Sequence, residues 1–155
     1  MFENQKKIWI TGASSGIGKA LALKFAKENW HVAISARRKE LLDQIAEDKN
    51  ISSFPLDVTD DSKVQEVVSN ILEEFKGIDL CVFCSGAYDP KLEQEINKNQ
   101  IRKIMDINFF GVLNCIKAVE DYFKNKKKGQ ISIVSSVAAY RGLPNSSGYG
   151  PSKAA

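Results

Sequence analysis

The sequence predicts an α/β fold, a doubly wound parallel sheet, on three observations. Short apolar runs of five or six residues alternate with helix-patterned segments of ten or more along the chain. A glycine- and serine-rich turn, Gly12 to Gly16, separates the first run from the first helix pattern. The 155 residues, 43% hydrophobic and 26% charged, suit a single globular domain over residues 1–155 that can bury a core. Right-handed crossovers between parallel strands then put helices on both faces of the sheet.

Each element follows from its pattern. Lys7 to Thr11 reads as the first strand. Ile17 to Asn29 places Ile17, Leu21 and Phe25, with Ala20 and Leu23, at helical spacing. His31 to Ala36 is a second strand. Lys39 to Asp48 carries Leu41, Leu42, Ile45 and Ala46 on one helical face. Ile51 to Leu56 is a third strand, which Pro55 confines to an edge. Asp60 opens a helix through Phe75, with Val64, Val67, Val68, Ile71 and Leu72 on one side, and Gly77 stops it. Ile78 to Cys84 is the fourth strand. One long helix runs from about Asn97 to Phe123, and a lysine cluster ends it, since cations suit a helix C-terminus. Gln130 to Ser135 is the fifth strand.

Several function classes are excluded at this level. The net charge, 22 − 19 = +3, is too small to argue for a nucleic-acid partner. No apolar run approaches the ~18 residues of a membrane span. The polar start, Met1 to Lys7, leads straight into a strand and does not read as a signal peptide. Cys81, Cys84 and Cys115 are too few and too odd in number for a disulfide framework, which points to a reducing cytoplasm. Cys81 and Cys84 have redox-motif spacing, but three residues apart on a strand they point to opposite faces. No metal site is expected.

The turn after the first strand has the context of a phosphate cradle. Gly12 allows the tight reversal, Gly16 lets a pyrophosphate approach the backbone, and Gly18 permits close helix–strand packing. The helix start offers unpaired N–H groups to phosphates, and Ser14 and Ser15 add hydroxyls. The glycines alone are weak evidence; their place between strand and helix carries the argument. A nicotinamide dinucleotide site that prefers NAD puts a carboxylate at the end of the second strand, about 20 residues on. Here that strand ends Ser35-Ala36-Arg37-Arg38, which favours NADP(H) over NAD(H), since a guanidinium fork suits a 2′-phosphate. The less favoured alternative is that Arg37 and Arg38 are solvated loop residues.

Tyr149 and Lys153 are four apart, on one helical face if Pro151 lies in that helix's first turn. An ammonium so placed stabilises a phenolate, so the pair can exchange a proton with a substrate oxygen. Tyr122 and Lys126 repeat the spacing. The neighbourhood separates the two matches: Ser136 stands 13 residues before Tyr149, just past the fifth strand, where active-site groups gather in open α/β sheets. Thirteen before Tyr122 is Phe109, inside an apolar helix. Asn108 is a polar amide in that same apolar stretch, either a packing amide or a functional one.

With the leading Thr11, the order Thr11-Gly12-x-x-x-Gly16-Ile17-Gly18, Asp57-Val58, Asn108, Ser136, Tyr149, Lys153 resembles the short-chain dehydrogenase/reductase family over essentially the whole chain. The resemblance implies a Rossmann fold and reversible hydride transfer between a nicotinamide and a small-molecule carbonyl or alcohol. It implies Tyr149 as acid/base, Lys153 as its modulator and a ribose ligand, Ser136 on the substrate oxygen, and Asn108 in a proton relay. It places Asp57 and Val58 at the adenine. Asp57 can otherwise cap the next helix, although Thr59 and Asp60 are nearer its start. Ser85 and Gly86 keep the family's small residues beside the cofactor, whereas Phe83 and Cys84 replace its usual asparagines. Family members usually run longer. The expectation is therefore a fold truncated after the fifth strand and the start of the sixth helix, with the substrate-pocket segment missing and a sheet edge and apolar face uncovered. Full length, the resemblance implies a homo-oligomer. The rival expectation is a non-catalytic dinucleotide-binding module that needs a partner.

Overall fold

The computed structural model describes residues 5–155, so the polar start over Met1–Asn4, read above as no leader, lies outside the described residues. Five strands form one all-parallel sheet in the order β3-β2-β1-β4-β5. They are β1 (Lys7–Thr11), β2 (His31–Ser35), β3 (Ile51–Ser53), β4 (Leu80–Phe83) and β5 (Gln130–Ile133). The helices are α1 (Gly16–Lys27), α2 (Lys39–Ile45), α3 (Asp61–Phe75), α4 (Lys98–Met105), α5 (Gly111–Lys126) and α6 (Tyr149–Ala154). This is the doubly wound topology expected from the sequence, and the order reverses between β1 and β4, where such sheets open a ligand crevice.

Alternation along the strands sorts the core into two layers. Ile8, Ile10, Val32, Ile34 and Val82 pack against Ala22 and Ala26 of α1 and Leu42 and Ile45 of α2. Trp9, Ala33, Cys81 and Phe83 face the other way, against Val64, Val68 and Ile71 of α3 and Val112, Cys115 and Val119 of α5. Full burial of each Val, Leu or Ile contributes about 1.5–3 kcal/mol. Cys81 belongs to one layer and Cys84 packs at the rim of the other, so the two thiols stand on opposite sides. Burial pushes the Cys81 thiol up and Cys115 up to about 12.

Element ends shift by a few residues from the sequence reading. β3 stops at Ser53 because it is an edge strand, as Pro55 required. α3 begins one residue later than expected, because Asp60 is its N-cap and accepts from Lys63 N at 2.9 Å. Its stop is Lys76, in the left-handed region at φ 56°, with Gly77 following. The long helix is interrupted: residues Asp106–Phe110 form a π-helical turn between α4 and α5. Beyond it α5 runs three residues past Phe123, to Lys126. β5 is the exposed edge, with Ile133 53% accessible.

Candidate active site

The C-terminal ends of the strands surround a cavity of about 460 Å³. It is lined by Gly12, Ser14, Ser15, Gly16, Ile17 and Gly18 from the first turn, Arg37 and Arg38 after β2, Asp57 and Val58 after β3, and Ser85 and Gly86 after β4. Ala36, Leu56, Cys84, Ile107 and Val134 complete the lining. Sequence reasoning named the first twelve as cofactor residues, and the fold brings all twelve to one place.

The turn is built as the glycines require. Gly12 has φ +67°, and a Cβ on it would lie 2.7 Å from the Cys84 carbonyl and from Ser85 N, so only glycine lets β1 and β4 close here. A Cβ on Gly18 would meet Gly12 O at 2.6 Å, which fixes the approach of α1 to the turn. Gly16 also has positive φ, but a Cβ on it would meet nothing within 4 Å, because it faces the cavity. Ser15 is the N-cap of α1 by position, yet its side chain makes no capping bond, so the helix's first N–H groups stay available to an anion. Ile17, 61% exposed, sets an apolar side chain at the rim.

The arginines differ in what they touch. Arg38 Nη2 donates to Ser14 Oγ at 2.9 Å and to Ser15 Oγ at 3.3 Å, binding the β2 end to the phosphate turn. Arg37 lines this cavity and a second one of about 320 Å³ with Asp57, Thr59 and Lys103. Asp57 does not cap α3. It accepts from Thr59 N at 3.0 Å and Thr59 Oγ1 at 2.8 Å, a local turn that leaves the capping to Asp60. Val58 is held from behind: Asn114 Nδ2 donates to its carbonyl at 3.0 Å, and Gly111 admits its side chain where a Cβ would lie 2.5 Å from Val58 Cγ2.

Next to Gly86 of the cavity stand two of the candidate reactive residues, Asn108 and Lys153, with Tyr149 beside Lys153. Tyr149 is the first residue of α6, so Pro151 falls in the first turn as required. Lys153 Nζ stands 6.0 Å from the Tyr149 ring centroid and donates to Val134 O at 2.9 Å. Burial holds Lys153 below the usual lysine value, with the nearby Cys84 acting in the opposite sense. Asn108, 5% exposed, lies in the π turn. Its Oδ1 accepts from Ala87 N at 2.6 Å, and its Nδ2 donates to Ala87 O at 3.0 Å and Ser152 Oγ at 2.9 Å. Ser152 in turn donates to Tyr149 O at 2.8 Å. Asn108 Oδ1 and Lys153 Nζ each lie 3.5 Å from the point where a Cβ on Gly86 would sit, so both border the cavity's glycine. Ser136 caps a 3₁₀ turn at Val137–Ala139, where its Oγ accepts from Ala138 N at 3.2 Å and keeps its own proton to donate. That turn packs on α6.

The second Tyr-x-x-x-Lys pair has a different setting. Tyr122 Oη accepts from Ile78 N at 3.0 Å, and Lys126 Nζ donates to Ile78 O at 2.7 Å and Asp79 Oδ1 at 2.9 Å. These residues fasten the end of α5 to the start of β4, away from the cavity.

The departures at Phe83 and Cys84 are accommodated. Phe83 is fully buried, edge-on to Trp9 at 5.5 Å, and Trp9 Nε1 donates to Ser35 Oγ at 3.0 Å. Thr11 is the β1 partner of Phe83, and its buried hydroxyl has no partner among the described residues. Cys84 lines the cavity, its thiol pushed up by burial to about 11. Sequence reasoning missed Ser152, which its place inside the Tyr149–Lys153 span could have flagged. It also missed Tyr88, stacked on Tyr149 at 4.3 Å, and the buried Glu93, neither of which carries a local signal.

Comparison with known proteins agrees with this arrangement. A family model described as short chain dehydrogenase matches residues 6–155. Dehydrogenase/reductase SDR family member 7 of Mus musculus is 33% identical over 155 residues, covering 94% of this chain and 46% of that protein. The 3-oxoacyl-[acyl-carrier-protein] reductase FabG of Thermotoga maritima is 33% identical over 150 residues, covering 94% of this chain and 61% of that one. The NADP-bound structure of ElxO superposes with a TM-score of 0.89 at 31% identity, covering 97% of this chain and 63% of the other. The chain thus spans roughly half to three fifths of the length of these curated relatives.

Proposed function

The chain belongs to the short-chain dehydrogenase family, and on that premise we propose that it is an NADP(H)-dependent oxidoreductase interconverting a small-molecule carbonyl and its alcohol. The observation that carries this reading is the placement of Asn108 and Lys153 beside Gly86 of the cavity, with the Tyr149 ring 6.0 Å from Lys153 Nζ. When bound, the dinucleotide supplies or takes up the hydride. The first turn of α1, with Gly16, would hold the pyrophosphate. Arg37 and Arg38 would hold the 2′-phosphate, and the cavity has no carboxylate at the end of β2 to repel it. The NADP-bound ElxO supports the same cofactor. Asp57 and Val58 would border the adenine, and Ser85, Gly86, Tyr149 and Lys153 the nicotinamide riboside.

The chain's own residues divide the proton work. In reduction, Ser136 Oγ donates a hydrogen bond to the substrate oxygen as negative charge grows there. The Tyr149 phenol gives that oxygen its proton, and the Lys153 ammonium stabilises the phenolate left behind. Asn108 fixes the loop after β4 to the π turn, and through Ser152 it reaches the Tyr149 carbonyl. No helix among the described residues is long and apolar enough to cross a membrane. Three free thiols suit a reducing, cytoplasmic setting, and a homo-oligomer is expected of the full-length protein.

The test is NADPH oxidation by the full chain over a panel of aliphatic ketones, aromatic quinones and 3-oxoacyl thioesters, the last because FabG names that class. Tyr149→Phe is expected to abolish turnover and to leave NADPH affinity within a few-fold; retained turnover would sink the assignment. The exposed β5 edge favours a second reading, a non-catalytic dinucleotide-binding module that needs a partner to cover that side. Tight NADPH binding with no turnover of any carbonyl would support it.

A further inference from the structure

The loop between β4 and α4 touches the reactive set at three points. Ala87 pairs through both backbone groups with Asn108, Tyr88 stacks on the Tyr149 ring, and Glu93 reaches the Tyr149 backbone. Glu93 is only 3% exposed. Its Oε2 accepts from Gly148 N at 2.7 Å and from Tyr149 N at 2.9 Å, while Oε1 is buried with no partner among the described residues. A buried carboxylate persists only where strong hydrogen bonds hold it, and charge-assisted bonds to backbone N–H are of that kind.

The place of those two bonds gives them their consequence. Tyr149 is the first residue of α6, and the first N–H groups of a helix have no partner inside it. Gly148, the N-cap, has no side chain to supply one. Glu93, from 55 residues earlier in the chain, supplies it instead. We propose that Glu93 is the positioning residue for Tyr149: its carboxylate pins the first turn of α6 to the β4–α4 loop and so sets where the phenol stands. With Tyr88 on the ring and Glu93 on the backbone, one loop holds the tyrosine at both ends. The proposal rests on the acid/base reading of Tyr149 for its kinetic consequence, but not for its geometry.

A single oxygen carries both bonds, so Glu93→Gln can keep them with its amide oxygen. Glu93→Asp keeps the charge but is one methylene short, and Glu93→Ala removes the acceptor. The full chain carrying each change is assayed for NADPH binding, for turnover of 9,10-phenanthrenequinone with NADPH, and for the NMR signals of ¹³C-labelled tyrosine. The Tyr149 signal is identified by its loss in Tyr149→Phe, and stacking on Tyr88 gives it a ring-current shift. In Glu93→Asp and Glu93→Ala, kcat is expected to fall about 100-fold, the loss that a ~1 Å misplacement brings. NADPH affinity stays within threefold, the Tyr149 signal moves toward that of free tyrosine, and Glu93→Gln restores both. Unchanged kcat and ring shift in the Asp and Ala variants overturn the proposal, as does a loss of NADPH affinity in step with kcat. Glu93→Asp decides if Glu93→Ala does not fold. If Tyr149→Phe keeps turnover, or no turnover is seen at all, the acid/base reading falls while the ring shift still tests Glu93.

Discussion

Residues of one type and spacing do different work here according to what surrounds them. Tyr149–Lys153 and Tyr122–Lys126 are both four apart, yet the first stands by Gly86 of the cavity through Lys153, while the second grips β4 through Ile78 and Asp79. The two arginines after β2 are another such pair. Arg38 is engaged with Ser14 and Ser15, while Arg37 makes no comparable bond among the described residues and lines the cavity from the side of Asp57. Arg37→Asp is therefore expected to move preference toward NADH while leaving the phosphate turn intact. The measurement is the ratio of NADPH to NADH affinities, and an unchanged ratio would count against a 2′-phosphate contact at this residue.

At the scale of elements, helix ends decide where the site residues stand. α3 starts at Asp61 because Asp60 caps it, and this frees Asp57, three residues earlier, to line the cavity. Asp60→Ala removes the bond to Lys63 N and is expected to cost about 1 kcal/mol. For a chain of this size that is a drop of roughly 2–4 °C in Tm, readable by calorimetry. The π turn at Asp106–Phe110 is the other decisive end. It sets Asn108 inward toward Ala87 and leaves Gly111 against Val58 as α5 begins. A single extra residue in a helical turn has no signature in hydrophobic spacing, so the sequence shows one continuous helix there.

For the whole molecule, Asp79 joins the two halves of the sheet. Its carboxylate accepts from Lys7 N at the start of β1 and from Lys126 at the end of α5. Burial pushes Asp79 up, but the hydrogen bonds from Lys126 and Lys7 and their charges outweigh it and hold the carboxyl below its usual value. A carboxyl depressed in the folded state adds stability above its unfolded value, near 3.9, and that stability is lost as pH falls through the lower, folded value. Stability is thus expected to decline below about pH 4. Asp79→Asn is expected to lower stability at neutral pH and to flatten this acid limb, as followed by urea unfolding from pH 6 to pH 2. An equally steep limb in the variant would show that other carboxyls govern it.

The sequence by itself determined the alternation of strands and helices, the edge position of β3, the glycine turn after β1 and the candidate residues of the site. These are local matters: period, glycine conformation and motif spacing act within a few residues of one another. Only the tertiary structure decided that twelve separated residues share one cavity, that Tyr122 grips a strand while Tyr149 stands beside Lys153 near Gly86, and that Asn108 bonds to Ala87. It also decided that Glu93, which has no motif around it, holds the first turn of α6 from 55 residues away. The physical reason is that a buried polar group must find its partner wherever the fold brings one, and a partner that distant leaves no trace in the residues beside it.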